Sequence, residues 1–207
     1  MSDRLRPLWD FHDLDATEQR LRVQLDDEPD DAGRAEVLTQ LARVAGLRDE
    51  FDACDRLLEE ADGVAGSSAV AHVRIDLERG RKFRSSGDPE GALPFFKAAF
   101  TRARDSGEHY LAGDAAHMCA LAVSEDREAM EAWTQRGLEL GEREPAAEYW
   151  AGPLLNNLGW AYFDAGEKKQ ALELFERALE VRRRDPDNQA AIAFAEDAVQ
   201  TAREALP

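Results

Sequence analysis

Leu155–Pro186, LNNLGWAYFDAGEKKQALELFERALEVRRRDP, decides the fold of this chain. It reads as one helix, a sharp turn at Ala165-Gly166, and a second helix. Leu158-Gly159-x-x-Tyr162 in the first is answered by Ala171-x-x-x-Phe175-x-x-Ala178 in the second. Gly159 and Ala171 are small where two helices cross closely. Tyr162 and Phe175 are large enough to fill the space beside that crossing.

This spacing resembles the tetratricopeptide repeat. A second good match lies 79 residues earlier when the turn glycines are compared: Gly80-x-x-Phe83, Gly87, then Ala92-x-x-x-Phe96-x-x-Ala99. Two repeats of roughly 40 residues fit that offset, a period longer than the usual ~34. The wider pattern, with Asn156-Asn157-Leu158-Gly159-Trp160, is similar to a bacterial tetratricopeptide family of unassigned function. The resemblance covers Arg34 to Arg184. It implies an all-α fold, a right-handed superhelix of about four hairpins with N- and C-terminal capping helices, whose concave face is lined by the first helix of each hairpin.

On this reading residues 1–207 form a single solenoid. Residues 1–30 are an N-terminal cap, with a helix starting near Asp15 through an Asp15-x-x-Glu18 capping box. Trp9 and Phe11 staple that cap to the first repeat. Repeat 1 (31–63) carries the stripe Val37, Leu38, Leu41, Val44 and Ala45, and Asp49 is the expected N-cap of its second helix. Repeat 2 (68–106) has the strongest punctuation, Gly87 followed by Asp88-Pro89. Repeat 3 (108–142) is degenerate, with Ala129-x-x-x-Trp133 in place of the Ala–Phe pair. Repeat 4 (145–185) starts at Glu144-Pro145, its first helix carrying Tyr149 and Trp150. Residues 187–207 form a C-terminal cap helix with Asp187 as its N-cap.

Composition narrows the function classes. The formal net charge of −17 repels polyanions, so no nucleic-acid partner is expected. No apolar run approaches the ~20 residues needed to cross a bilayer, and the charged N-terminus lacks the apolar core of a secretion signal, so no membrane partner and a cytoplasmic location are expected. Cys54 and Cys119 fall inside helical patterns and read as small buried thiols.

Aligning the first helices at their crossing residues sets Trp160 against Met118, Arg81 and Arg43, Asn156 against Asp114, and Phe163 against Arg84. Arg74 lies about two turns before Arg81 on the same face. The groove would thus be basic in the first two repeats and apolar with amides in the last two. Its candidate ligand residues are Arg43, Arg74, Arg81, Arg84, Asp114, Met118, Asn156, Asn157, Trp160 and Phe163. Arginines suit a carboxylate, and asparagines can bond an extended backbone. The same arginines could instead pair internally with Asp76, Glu78 and Asp114.

The leading expectation is a module that binds a peptide or protein partner in its groove. The alternative is a self-associating scaffold, such as a homodimer, with no groove ligand. Asp114 and His117, three residues apart, are a remote starting point for a general base or a metal site. No third ligand and no marked nucleophile accompany them, so neither enzyme chemistry, a cofactor nor a metal is expected.

Overall fold

The computed structural model describes residues 3–206, and among them every regular element is helical. After a 3-10 turn at Arg6–Leu8 come α1 (Leu14–Asp27), α2 (Asp31–Leu47), α3 (Phe51–Val64), α4 (Ala69–Ser85), α5 (Pro89–Asp105), α6 (His109–Ala122) and α7 (Arg127–Arg143). A second 3-10 turn, Pro145–Trp150, leads into α8 (Ala151–Asp164), α9 (Lys168–Arg182) and α10 (Gln189–Glu204). The chain packs as two compact units, residues 1–115 and 116–207, whose boundary falls within α6.

In the first unit α2 packs on α3 and α4 on α5 as hairpins, and α2 also packs on α4. Crossing at close range is what the small residues permit. A Cβ on Gly80 would stand 2.4 Å from Cε1 of Phe96, a fully buried ring. The second unit repeats the device: α8 packs on α9, and a Cβ on Gly159 would stand 2.5 Å from Cε1 of Phe175. The two stretches singled out by their spacing therefore fold on the same contact.

Each of these hairpins turns in the same way. Gly87 (φ 90°) and Gly166 (φ 84°) are left-handed, and the residue that follows each donates its amide five residues back, Asp88 to Phe83 and Glu167 to Tyr162, both at 2.9 Å. Asp49 (φ 59°) holds the equivalent position between α2 and α3, with Glu50 donating to Ala45 at 2.9 Å. Asp49 is thus the closing residue of α2, not the N-cap of α3. The short polar side chain tolerates the left-handed region better than most, and this is the one such turn built without glycine among the described residues.

Three other expected boundaries move. The side chain of Asp13, not Asp15, caps α1 by accepting from Ala16 N at 2.9 Å, and Glu18 is drawn away to Arg48 and Arg22. Asn188, not Asp187, caps α10. The fourth hairpin does not start its first helix at Pro145; Tyr149 and Trp150 lie in the 3-10 turn. Pro153, which has no amide hydrogen, is accommodated in the first turn of α8, where no internal donor is required.

Candidate functional site

In the first unit, Glu36, Gln40 and Arg43 succeed one another along one side of α2, and Arg74, Glu78 and Arg81 do the same on α4. Both triplets follow the i, i+4, i+7 spacing that keeps side chains on one face. Because α2 packs on α4, the two columns share a surface.

That surface is occupied by the chain itself. Asp3 accepts from both terminal nitrogens of Arg74, at 2.5 and 3.1 Å, while Arg74 Nε donates to Glu36 at 3.1 Å. Arg4 reaches Glu36 at 3.2 Å and Glu28 at 2.7 Å. Leu5 is fully buried in the core of this unit. The Trp9 indole donates to Oε1 of Gln40 at 3.0 Å, and the Arg43 guanidinium lies over the rings of Trp9 (5.1 Å) and Phe11 (5.4 Å). The expected staple of Trp9 and Phe11 is therefore one end of a longer stretch, residues 3–11, laid along α2 and α4. Burial opposes the charge on Asp3, but the hydrogen bond and charge of Arg74 outweigh it and hold the carboxyl below its ordinary value.

A second cluster follows on the same surface. Arg81 donates to both carboxylate oxygens of Asp114 at 2.6 Å and also pairs with Glu78. Burial would lower the pKa of Arg81, but the charges of Asp114 and Glu78 outweigh it and raise it. The second oxygen of Glu78 is buried without a partner. Arg43 makes no hydrogen bond or ion pair with any described residue, and burial followed by repulsion from Arg81 lowers its pKa. Arg74, Arg81 and Asp114 are thus satisfied internally, whereas Arg43 keeps an unpaired charge. Arg84 is exposed and forms no ion pair among the described residues.

In the second unit the face of α8 combines amides with rings. Asn156 is 8% exposed, and its Oδ1 has no hydrogen-bond partner. Asn157 bonds Nε2 of His117 at 2.8 Å. Trp160 is half-buried between Phe163 (ring centroids 5.3 Å) and Phe175 (5.0 Å). Its phase therefore turns it partly onto the signature aromatic. The ammonium of Lys168 sits 3.2 Å from the centroid of Phe163 and bonds that residue's carbonyl, so one face of the Phe163 ring is covered. Met118 is buried. Asp114 pairs with Arg81, and His117 bonds Asn157. Among the described residues no group of three His, Cys, Asp or Glu side chains is placed to hold a metal ion.

Sequence reasoning passed over Asp3, Glu36, Gln40 and Lys168. Glu36 and Gln40 were within reach: they stand two turns and one turn before Arg43, and Glu36 aligns with Arg74 in the repeat register, whereas Asp3 meets Arg74 only through the path of residues 3–11. Lys168 carried no signal, since its role depends on the turn geometry at Gly166.

These faces and hairpins define a tetratricopeptide-like helical repeat protein. Residues 154–184 match the tetratricopeptide repeat family model. The crystal structure of BtubC (BKLC) from P. vanneervenii has the same fold, with a TM-score of 0.70 over 98% of this chain and 84% of that one, at 18% identity. No curated protein matches the chain. No helix among the described residues is long and apolar enough to cross a membrane.

Proposed function

We propose that the protein is an interaction module that takes an extended segment of a partner protein along its first-helix faces. The observation that carries this reading is the unpartnered, buried amide oxygen of Asn156, on the same helix as Trp160 and Phe163. A buried carbonyl without a donor costs roughly 1–3 kcal/mol. A turn of the Asn156 amide that brings this oxygen to the surface lets a peptide backbone N–H satisfy it, and the neighbouring rings offer apolar surface to a side chain.

Asn156→Leu provides the test, because it removes the orphaned oxygen with little change in volume. Peptides selected from a displayed random library on the wild-type chain should lose at least ten-fold in affinity for the variant, while its melting temperature holds or rises. Retained affinity in the variant refutes the reading. Trp160→Ala is the poorer probe, since Trp160 also packs on Phe175.

A second reading, self-association, rests on α10, where Phe194 is 60% exposed and shares an outer face with Ala190 and Ala193. Concentration-dependent light scattering that Phe194→Ser abolishes would favour it.

A further inference from the structure

The stretch of residues 3–11 invites the question of whether it is a fixed part of the fold or a ligand the chain supplies to itself. Its manner of attachment differs from that of the helices around it. Its backbone hydrogen bonds are local: Arg6 to Asp3, Leu8 to Leu5 and Trp9 to Arg6, each at 3.1 Å. It exchanges no backbone–backbone bond with α2 or α4. Contact with them runs through side chains, chiefly Asp3 on Arg74, Arg4 on Glu36 and Trp9 on Gln40 and Arg43.

Of the nine side chains only Leu5 is fully buried, and Phe11 remains 44% exposed. The firm anchor comes at the end, where Thr17 Oγ1 bonds both the amide and the carbonyl of Asp10 at 2.9 Å. Arg20 adds a bond to the carbonyl of Leu8 at 2.8 Å. The segment is thus held by α1 at Leu8 and Asp10, and it lies on the α2/α4 face through side chains.

The fit of that peptide is also incomplete. Arg43 has aromatic rings over it but no carboxylate within ion-pair distance, and Arg6 of the same stretch lies 5.1 Å from the centroid of the Phe11 ring that Arg43 also covers. A segment with an acid in place of Arg6 would remove a repulsion and gain an ion pair with a weakly hydrated guanidinium.

We infer that residues 3–9 are an exchangeable occupant of the α2/α4 face, and that the partner segment replacing them carries a carboxylate for Arg74, an aromatic ring about six residues later, and an acid beside that ring for Arg43. This rests on the reading of the first-helix faces as peptide-binding and extends it to the first unit. The cis occupant sets a threshold: a partner gains access only where its complement exceeds that of Asp3 and Trp9, as effective concentration favours the tethered segment.

The probe is a fluorescein-labelled peptide of the chain's own residues 1–11, added to the full-length protein. An Asp3→Asn/Trp9→Ala double variant, which weakens the cis segment at both ends, should bind it at least ten-fold more tightly than the wild type does. A peptide with Arg6→Glu should bind that variant more tightly again, and a peptide lacking both Asp3 and Trp9 should not bind. Equal binding to wild type and variant, or none to a folded variant, overturns the inference.

Hydrogen exchange on the wild type supplies a reading independent of the variant's folding. The amides of Arg6, Leu8 and Trp9 should exchange at least a hundred-fold faster than the central amides of α2 and α4. Protection equal to those helices makes the segment a fixed part of the core and also overturns it. Asn156→Leu tests the peptide-binding reading on a different helix in the other unit. A failure here with success there removes only the exchange, and failure of both removes the reading beneath it.

Discussion

Two glycine-to-alanine substitutions in the first unit should act in opposite directions. Ala is favoured over Gly in a helix by about 0.5–1 kcal/mol, because Gly loses more backbone freedom on folding. Gly63, exposed near the end of α3, has nothing within 4 Å of the place a Cβ would take, so Gly63→Ala should gain about that amount. At Gly80 the same gain is opposed by the Phe96 ring, whose Cε1, Cδ1 and Cζ lie 2.4, 2.6 and 2.9 Å from where the methyl would go. Optimal carbon separations are about 3.5–4.0 Å, so the ring must retreat by about 1 Å or the helices must part.

Phe96 is wholly buried, so its ring cannot swing out into solvent without unpacking the hairpin. Overpacking of this kind costs about 1–3 kcal/mol, and subtracting the propensity gain leaves Gly80→Ala about 1–2 kcal/mol less stable than wild type. The two variants should therefore differ by about 2 kcal/mol, roughly 5–10 °C in the melting temperature of a unit this size. Thermal unfolding followed by far-ultraviolet circular dichroism, with urea midpoints as a check, reads the difference. Phe96→Leu should cost less in the Gly80→Ala background than alone, with a coupling above about 0.5 kcal/mol. A Gly80→Ala protein as stable as Gly63→Ala, or the absence of coupling, would refute the close-crossing argument.

Other expectations follow from single contacts. Arg81→Met should lower stability by about 3–5 kcal/mol, because it strands the buried carboxylates of Glu78 and Asp114; urea unfolding at neutral pH measures this, and a loss under about 1 kcal/mol would contradict the buried network. Asp49→Gly should raise stability by about 1 kcal/mol in the same assay, since it relieves the left-handed φ of 59° that glycine occupies in the equivalent turns. Cys54, whose thiol is pushed up to about 12 by burial and by the charge of Glu78, should resist iodoacetamide at mildly alkaline pH in the folded chain and react on unfolding. Prompt native labelling of Cys54 would be inconsistent with its packing.

The Asp3–Arg74 tie has a defined pH window. The Asp3 carboxyl titrates below its ordinary 3.8 in the folded chain, so its contribution is present above that value and is lost as pH falls through the lowered one. The Trp9 indole resonance should hold constant from neutral pH down to about 4 and shift only below that. A shift centred near the ordinary histidine value of about 6.5 would assign the tie to another group.

The chain's own residues determined the hairpins and their closest contacts. Gly80 with Phe96 and Gly159 with Phe175 are local pairings separated by a single turn, so helical period and residue size suffice to foresee them. Side-chain capping was less legible, because several acids stand near each boundary and only the folded backbone selects among them; Asp13 prevailed over Asp15 once Arg48 and Arg22 engaged Glu18.

The columns of charge on the first helices could likewise be read from spacing, but not which charges remain free. Arg74 is satisfied by Asp3, 71 residues away, and Arg81 by Asp114, 33 residues away. Periodicity cannot state such pairings, since they depend on helix packing and on the path of residues 3–11. Tertiary structure alone decided that Arg43 keeps an unpaired charge, that Asn156 keeps an unpaired oxygen, and that the first face already holds a segment of the chain. Spacing along a helix specifies which side chains share a face; only packing decides what neutralises, covers or orphans them.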